Sequence, residues 1–276
     1  MIGATKRAGV IGWPVEHSKS PRLHGHWLAK FGIDGSYVHL PIKPEDLETS
    51  VRKMVVDGWQ GANVTIPHKE AALTLADEAT PRARAIGAAN TLIFREGRII
   101  ADNTDGYGFI ENLHDRTGAA WDHARPAVVL GAGGAARAIL HALIDAGVPE
   151  ICVANRTVAK AATLAAPFGD AVRVIALSDV DNALRGAGLI VNTTSLGMTG
   201  QPPLNIDLTG ADDDAVATDI VYTPLITPFL ASAQARGLTV VDGLGMLLHQ
   251  ARPGFAAWFG AEPQVDDELR QLMVTE

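Results

Sequence analysis

The stretch Val129-Leu130-Gly131-Ala132-Gly133-Gly134-Ala135-Ala136-Arg137 decides the fold. An apolar run ends in glycines and an alanine-rich segment follows at once, the order of a buried strand, a tight turn and a helix. Gly131, Gly133 and Ala136 fall on the pattern G-x-G-x-x-A. Gly131 suits the turn, Gly133 lets a pyrophosphate approach the backbone, and Ala136 lets the helix pack close to the strand. The helix start adds unpaired amides and a partial positive charge, both favourable to phosphate. Many tight strand-to-helix turns carry similar glycines, so the reading rests on what surrounds them.

One strand downstream, the short apolar run Ile151-Cys152-Val153-Ala154 ends in Asn155-Arg156-Thr157. A dinucleotide fold places here the residue that meets the adenosine ribose, and NAD enzymes usually carry a carboxylate. Asn155 and Arg156 stand there instead. A 2′-phosphate is repelled by a carboxylate and gripped by a guanidinium fork, so the pair favours NADP. A solvated surface arginine is the plainer alternative.

Length and composition frame this reading. A chain of 276 residues exceeds the usual size of one compact core, and 47% hydrophobic with 20% charged residues is ordinary for a globular protein, so two domains are expected. A net charge of −8 argues against nucleic-acid binding, while leaving small anionic ligands open. The single cysteine, Cys152, lies in an apolar run, which argues against disulfides and cysteine-based metal clusters. No stretch reads as a signal peptide or a membrane span, so a cytoplasmic setting is expected, with no membrane partner.

The first hundred residues alternate strand and helix signals. Strands are predicted at Ala8–Gly12, Tyr37–Leu40 and Ala62–Ile66, and helices at Pro21–Phe31 and Pro44–Val56. Pro21, Pro44 and Pro67 each read as first-turn prolines. Asn90–Phe94 and Arg98–Ala101 read as a hairpin about Glu96-Gly97, adding an antiparallel edge to a mostly parallel sheet. A second α/β series begins near Pro126, with strands at Ala127–Leu130, Glu150–Ala154, Leu189–Asn192, Ala215–Ile220 and Leu238–Val241 and helices at Ala135–Ala146 and Leu244–Phe259. The expected fold is α/β in two domains. Residues 1–105, completed by 246–276, form a substrate-binding and catalytic domain, and 106–245 form a Rossmann-type, doubly wound NADP-binding domain.

Polar strings interrupt the core-building pattern. Ser18 and Ser20 flank Lys19 just before a helix, and two hydroxyls with free amides suit a carboxylate, although Ser20 could merely cap the helix. Asn63 and Thr65 alternate with Val64 and Ile66, which puts both polar groups on one face at a strand's end, where open sheets bind ligands. Lys69 falls in a helix's first turn, against the dipole, a placement that favours releasing a proton; a solvated helix lysine is the alternative. Asn90-Thr91 and Asp102-Asn103-Thr104-Asp105 add a dense polar run, in which Asp105 could simply cap a helix at Tyr107–Leu113. In the second half, Asn192-Thr193-Thr194-Ser195-Leu196-Gly197-Met198 follows a strand and is placed to line a cofactor site. Asp219-Ile220-Val221-Tyr222 and Asp242-Gly243-Leu244-Gly245-Met246 end two later strands, with Gln250 one turn beyond Met246. His17, His24 and His26 lack metal-ligand spacing and no cysteine joins them, so no metal is expected. No lysine of the P-loop kind follows the glycines. The acidic run Asp212-Asp213-Asp214 reads as an exposed loop.

Together these strings resemble the shikimate dehydrogenase family across nearly the whole chain. The blocks HSKSP (His17–Pro21), NVTIPHK (Asn63–Lys69), AANT (Ala88–Thr91), NTDG (Asn103–Gly106), the glycine turn, Asn155-Arg156-Thr157, NTTSLGM (Asn192–Met198) and DGLGM (Asp242–Met246) with Gln250 occur in the family's order. The resemblance implies NADPH-dependent, reversible reduction of 3-dehydroshikimate to shikimate on the route to chorismate and the aromatic amino acids. It implies that Ser18 and Ser20 hold the substrate carboxylate with Tyr222 nearby, and that Asn63, Thr65, Asn90, Thr104 and Gln250 contact the ring hydroxyls or adjoining pocket. Lys69 and Asp105 are implied as the proton-transfer pair. Gly131, Gly133, Gly134, Ala135, Asn155, Arg156 and Thr157 are implied for the NADP phosphates and adenosine, and Thr193, Ser195, Met198, Ile220, Gly243 and Met246 for the rest of the cofactor. Gly25 departs from the asparagine common in the family, at a position that is not among these ligands. A quinate/shikimate dehydrogenase using NAD, a non-catalytic NADP-binding sensor and a folate-type dehydrogenase are the competing readings. Assembly is expected to be monomeric or homodimeric.

Overall fold

In the computed structural model, which describes residues 5–118 and 121–275, the chain divides into two units. They comprise Met1–Thr104 with Leu248–Glu276, and Asp105–Leu247.

The first unit runs β1 (Lys6–Gly12), α1 (Ser20–Phe31), β2 (Gly35–Pro41), α2 (Leu47–Val56), β3 (Gly61–Val64), α3 (Lys69–Leu75), β4 (Glu78–Ala79), α4 (Pro81–Ile86), β5 (Thr91–Arg95) and β6 (Arg98–Asp102). Its sheet has the order β2-β1-β3-β5-β6-β4. The β1 pairings with β2 and β3 are parallel, the β3–β5 and β5–β6 pairings antiparallel, and β4–β6 parallel. The sheet is therefore mixed. The hairpin β5–β6 lies inside it, between β3 and the two-residue β4, rather than forming the expected edge. Gly32 closes α1 in the left-handed region at φ 60°, and Thr80 Oγ1 caps α4 by accepting from the Ala83 amide. Ile11, Val51, Val64, Leu92 and Ile99 belong to one buried cluster, which joins the sheet to α2.

The second unit runs α5 (Asp105–Thr117), β7 (Ala127–Leu130), α6 (Gly134–Asp145), β8 (Ile151–Asn155), α7 (Val158–Ala165), β9 (Val172–Ala176), α8 (Val180–Leu184), β10 (Leu189–Asn192), β11 (Val216–Asp219), α9 (Pro228–Ala235) and β12 (Thr239–Val241). Its six strands are all parallel, in the order β12-β11-β10-β7-β8-β9. Counted within the unit from the β9 edge this is 3-2-1-4-5-6, the doubly wound order. Both faces are covered. Ala127 and Val129 of β7 enter one apolar cluster and Val128 and Leu130 the other, as period-two alternation requires of a strand buried on both sides. Helices α10 (Leu244–Phe259) and α11 (Asp267–Val274) complete the chain.

The remaining departures are local. The expected helix from Pro44 begins as a short 3-10 turn, Pro44–Asp46, and becomes α-helical at Leu47. Strand β3 stops at Val64, so Thr65 and Ile66 fall in the turn before α3, and Pro67 precedes that helix instead of standing in its first turn. Strand β9 has no counterpart among the expected strands. It is an edge strand in which Val172 is buried and Val174, Ile175 and Ala176 are half-buried, and its apolar run Val172–Ala176 is too short to separate from a helix segment by pattern alone. The acidic run at 212–214 is more than a solvated loop, because Arg125 pairs with Asp212 and Asp214 and Arg236 with Asp213. Among the described residues no helix is long and apolar enough to cross a membrane.

Candidate active site

Strand order locates the candidate groups. In the first sheet the chain winds outward from β1 to β2 on one side and to β3 on the other, so the carboxyl ends of β1 and β3 form a topological switch point. The serine loop leaves β1 there, and the turn into Lys69 leaves β3. Because β5 is antiparallel, its start, beside Asn90, comes to the same end of the sheet, as does the close of β6 before Thr104. Two loops and a hairpin thus deliver the polar strings of the first unit to one rim.

At the β1 end, Lys19 is the N-cap of α1 and no side chain caps the helix. Ser20 is already helical, so simple capping does not account for it. Its amide donates to Ser18 Oγ (3.3 Å), and Ser18 Oγ hydrogen-bonds Ser20 Oγ (3.2 Å), which sets the two hydroxyls side by side. Lys19 points elsewhere, donating through Nζ to the Met273 carbonyl (3.1 Å). A His39 ring nitrogen lies 2.9 Å from the Ser18 carbonyl and steadies the loop.

At the β3 end, Lys69 is the first residue of α3 and is half-buried, and its carbonyl accepts from the Ala89 amide (2.8 Å). Asn63, the third residue of β3, is buried and donates through Nδ2 to the Asn90 carbonyl (3.2 Å) and Thr91 Oγ1 (3.3 Å). Thr65 is half-buried just beyond the strand, so it does not share the pleat with Asn63 as expected. Asn90 Nδ2 donates to Thr104 Oγ1 (3.0 Å) and Gln250 Oε1 (3.2 Å), and Thr104 Oγ1 donates to the Gln250 carbonyl (2.8 Å). The structure therefore brings Asn63, Asn90, Thr104 and Gln250 into one network, with Thr91 as a link.

Asp102 borders that network, its carbonyl accepting from the Asn90 amide (3.0 Å). Burial alone would raise its carboxyl, but Arg82, which grips both oxygens at 2.7 and 2.5 Å, together with Thr80 and the Asn103 amide, holds it below the ordinary carboxylate value. The sign follows from linkage. A lowered folded-state pKa gives stability that is present above the ordinary value of 3.8 and lost as pH falls through the folded value. Arg82→Ala is expected to cost about 1 kcal/mol near neutral pH, discounted for the exposed guanidinium, and to move acid unfolding to higher pH. A pH titration of circular dichroism checks this; an unmoved midpoint would show the pair to be idle.

Two of the histidines have structural surroundings. His24 is fully buried and stacked on Tyr37 (3.9 Å between centroids), and burial pushes its pKa down to about 3, so it stays neutral. His26 lies near Asp266 and Glu268, but the Lys30 ammonium sits 2.6 Å from Asp266 and 3.6 Å from Glu268 and already supplies the positive charge.

In the second unit the switch point lies between β7 and β10. Gly131 has φ +107°, and a Cβ there would meet Thr194 Cγ2 at 2.6 Å. Gly133 is different. A Cβ there would find nothing closer than the Thr193 carbonyl at 4.0 Å, and at Gly134 nothing within 4 Å. Gly131 is needed by the protein's own packing, whereas Gly133 and Gly134 leave open space over the first turn of α6, whose N-cap Gly133 carries no capping side chain. That is the shape and polarity a pyrophosphate needs, so the residues fit a dinucleotide. Ala135 is half-buried in the same turn and Ala136 is fully buried.

Asn155 closes β8 and donates through Nδ2 to the Thr157 carbonyl (2.8 Å), shaping the turn into α7. Arg156 is exposed, has no ion-pair partner among the described residues, and borders a hollow of about 430 Å³ with Leu177 and Ser178. Beyond β10, Ser195 and Met198 are exposed, while Thr193 is buried with Oγ1 spent on the Leu130 carbonyl (2.9 Å). Gly243 also has an internal reason: a Cβ there would meet the Ile220 and Val221 carbonyls at 2.6 Å. Ile220 and Met246 pack against the core, and Tyr222 is half-buried, its phenol pushed up by burial. Asp105 is the first residue of α5, not a cap outside it, and is half-buried.

Sequence places Asp219 at the close of a strand but gives it no role of its own. It is buried, and burial raises its carboxyl although Asn192, Thr227 and the Val221 amide all donate to it. These bonds tie the ends of β10 and β11 together under the loop carrying Ser195 and Met198. The only advance signal is an acid closing an apolar strand.

A doubly wound sheet with an open glycine turn, in one chain with an α/β unit whose own switch point carries paired hydroxyls and a lysine, is the architecture of a two-domain dinucleotide-dependent oxidoreductase. Comparison with known proteins narrows the class. Residues 10–92 match the shikimate dehydrogenase substrate binding domain, and residues 117–198 match shikimate / quinate 5-dehydrogenase. The shikimate dehydrogenase (NADP(+)) of Paracoccus denitrificans is 58% identical, over 97% of this chain and 95% of that protein. The chain belongs to the shikimate dehydrogenase family. Shikimate 5-dehydrogenase from Thermus thermophilus, solved in complex with NADP(H) and shikimate, is 37% identical with a TM-score of 0.86, covering 97% of this chain and 99% of that one. A quinate dehydrogenase from Corynebacterium glutamicum, in complex with NAD, has a TM-score of 0.90 at 29% identity, covering 99% of each chain. Backbone shape is thus shared across substrates and cofactors, and the choice between them falls to side chains.

Proposed function

We propose that this chain is an NADP-dependent shikimate dehydrogenase that reversibly reduces 3-dehydroshikimate to shikimate, supplying chorismate and aromatic amino acid synthesis. One observation carries the assignment of roles. The paired hydroxyls of Ser18 and Ser20, Lys69, and the Asn63–Asn90–Thr104–Gln250 network all stand at one rim of the first sheet, giving an anion site, a proton donor and hydroxyl partners together.

Ser18 and Ser20 hold the substrate carboxylate, with Tyr222 contributing to its closure. Asn63, Thr65, Asn90, Thr104 and Gln250 orient the ring through its hydroxyls. Bound NADPH supplies hydride to the C3 carbonyl carbon. Lys69, as an ammonium, donates a proton to the C3 oxygen as negative charge develops there, and Asp105 orients the amine and relays to it a replacement proton taken from solvent. In the reverse direction the neutral Lys69 amine takes the hydroxyl proton. Gly131 shapes the turn; Gly133, Gly134 and Ala135 receive the phosphates, and Asn155, Arg156 and Thr157 the adenosine end. Thr193, Ser195, Met198, Ile220, Gly243 and Met246 flank the remainder of the cofactor, Thr193 and Gly243 through their backbone. A cytoplasmic monomer or homodimer fits this role, and sedimentation analysis decides the assembly.

The test is a coupled set of assays. NADPH absorbance at fixed enzyme is expected to fall on adding 3-dehydroshikimate, with shikimate and NADP+ driving the reverse reaction. Faster turnover with quinate and NAD+ would instead assign the chain to the quinate-using branch, and no turnover with any of these would point to a sensor.

A further inference from the structure

Tyr37 lies in β2, outside every motif that marks the site, yet it is the side chain that meets the polar network at its near end. The ring is buried at 7% exposure and stacked on His24 with an interplanar angle of 7°. Its hydroxyl donates to Asn63 Oδ1 at 2.6 Å. The Ser20 hydroxyl lies beside the same phenol oxygen.

Donor and acceptor roles along the network are forced by main-chain groups. The Asn90 carbonyl can only accept, so the Asn63 amide nitrogen must face it and Oδ1 must face Tyr37. The Thr104 amide can only donate, so Asn90 Oδ1 faces it (2.9 Å) and Asn90 Nδ2 faces Gln250. The His24 ring also faces the Asn63 side chain, but among the described residues its nitrogens lie beyond the hydrogen-bond distance that the phenol meets. The phenol is therefore the group that supplies Asn63 Oδ1 with a proton. Without it, a buried amide oxygen loses its close donor, and the Ser20 hydroxyl loses the phenol it contacts.

Resting on the functional reading above, we propose that Tyr37 is a positioning residue. Its phenol fixes the Asn63 amide and, through its contact with Ser20, the placement of the hydroxyl that meets the substrate carboxylate. The role couples the carboxylate end of the site to its ring-hydroxyl end, without Tyr37 itself touching substrate. Burial holds the phenol proton well beyond neutral pH, so it remains a donor over the working range.

The experiment is steady-state shikimate oxidation by wild type, Tyr37→Phe, Asn63→Ala and the double variant, with melting temperatures alongside. Phenylalanine keeps the stack on His24 and removes one oxygen. Tyr37→Phe is expected to raise the shikimate KM about tenfold while the NADP+ KM stays within about twofold. In the Asn63→Ala background the same change is expected to add little, because the phenol acts through Asn63. His24→Phe, which alters packing around the ring but leaves the hydroxyl, is expected to leave the shikimate KM within about twofold. An unchanged KM in Tyr37→Phe, losses that multiply in the double variant, or a His24→Phe effect as large as that of Tyr37→Phe would each overturn the proposal. A wild type that does not oxidise shikimate overturns the functional reading and this role with it. An active wild type matched by Tyr37→Phe overturns the Tyr37 role alone.

Discussion

Lys69→Ala is expected to lower turnover of 3-dehydroshikimate about a hundredfold or more, with NADPH affinity nearly unchanged. The magnitude is that of losing a positioned proton donor, with charge stabilisation at the forming alkoxide adding to it. Lys69 opens α3 at the helix's positive end, where a cation is unfavourable, which offsets part of whatever stability its contacts contribute. NADPH titration and thermal melts report binding and folding, and single-turnover reduction reports the chemical step. Turnover at the wild-type rate would remove Lys69 from the mechanism.

Arg156→Asp is expected to cut the preference for NADP+ over NAD+ by on the order of a hundredfold, measured as the ratio of kcat/KM values. Charge-assisted hydrogen bonds from a guanidinium contribute about 1.5–3 kcal/mol, and the aspartate adds repulsion toward a 2′-phosphate while offering the ribose hydroxyls an acceptor. Arg156 is well suited to such a role because it is exposed and engaged with no carboxylate among the described residues. An arginine already paired, as Arg125 is with Asp212 and Asp214, would have to break those bonds first. If the ratio does not move, the guanidinium is not what reads the phosphate.

The two units are legible in the sequence to different depths. The parallel unit announces itself, because an apolar run buried on both faces, such as Ala127–Leu130, and a glycine turn constrain one another: the strand must end where the helix begins. Its edge strand β9 carries a short apolar run, Val172-Arg173-Val174-Ile175-Ala176, but no flanking motif marks it as a strand. In the first unit the polar strings are visible, but their convergence is not. It depends on the antiparallel placement of β5, which returns Thr91 to the rim where Asn63 sits, and pairing direction is not written in a run of four or five residues. The same limit hides Tyr37. A tyrosine in a strand is ordinary β chemistry, and only the fold shows its hydroxyl against Asn63. The glycines are legible by position: the pattern gives Gly131 to the turn and leaves Gly133 open to approach, and the structure has the first hemmed in by Thr194 and the second facing open space.

The central claim is that Lys69 protonates the oxygen at C3 while the two serines hold the carboxylate. A crystal structure of the chain with shikimate and NADP+ bound tests it most directly. The account predicts Lys69 Nζ within about 2.6–3.2 Å of the C3 oxygen, with Ser18 and Ser20 on the carboxylate. A fully active enzyme whose bound shikimate turns its carboxylate toward Lys69, or leaves C3 facing other side chains, would contradict it.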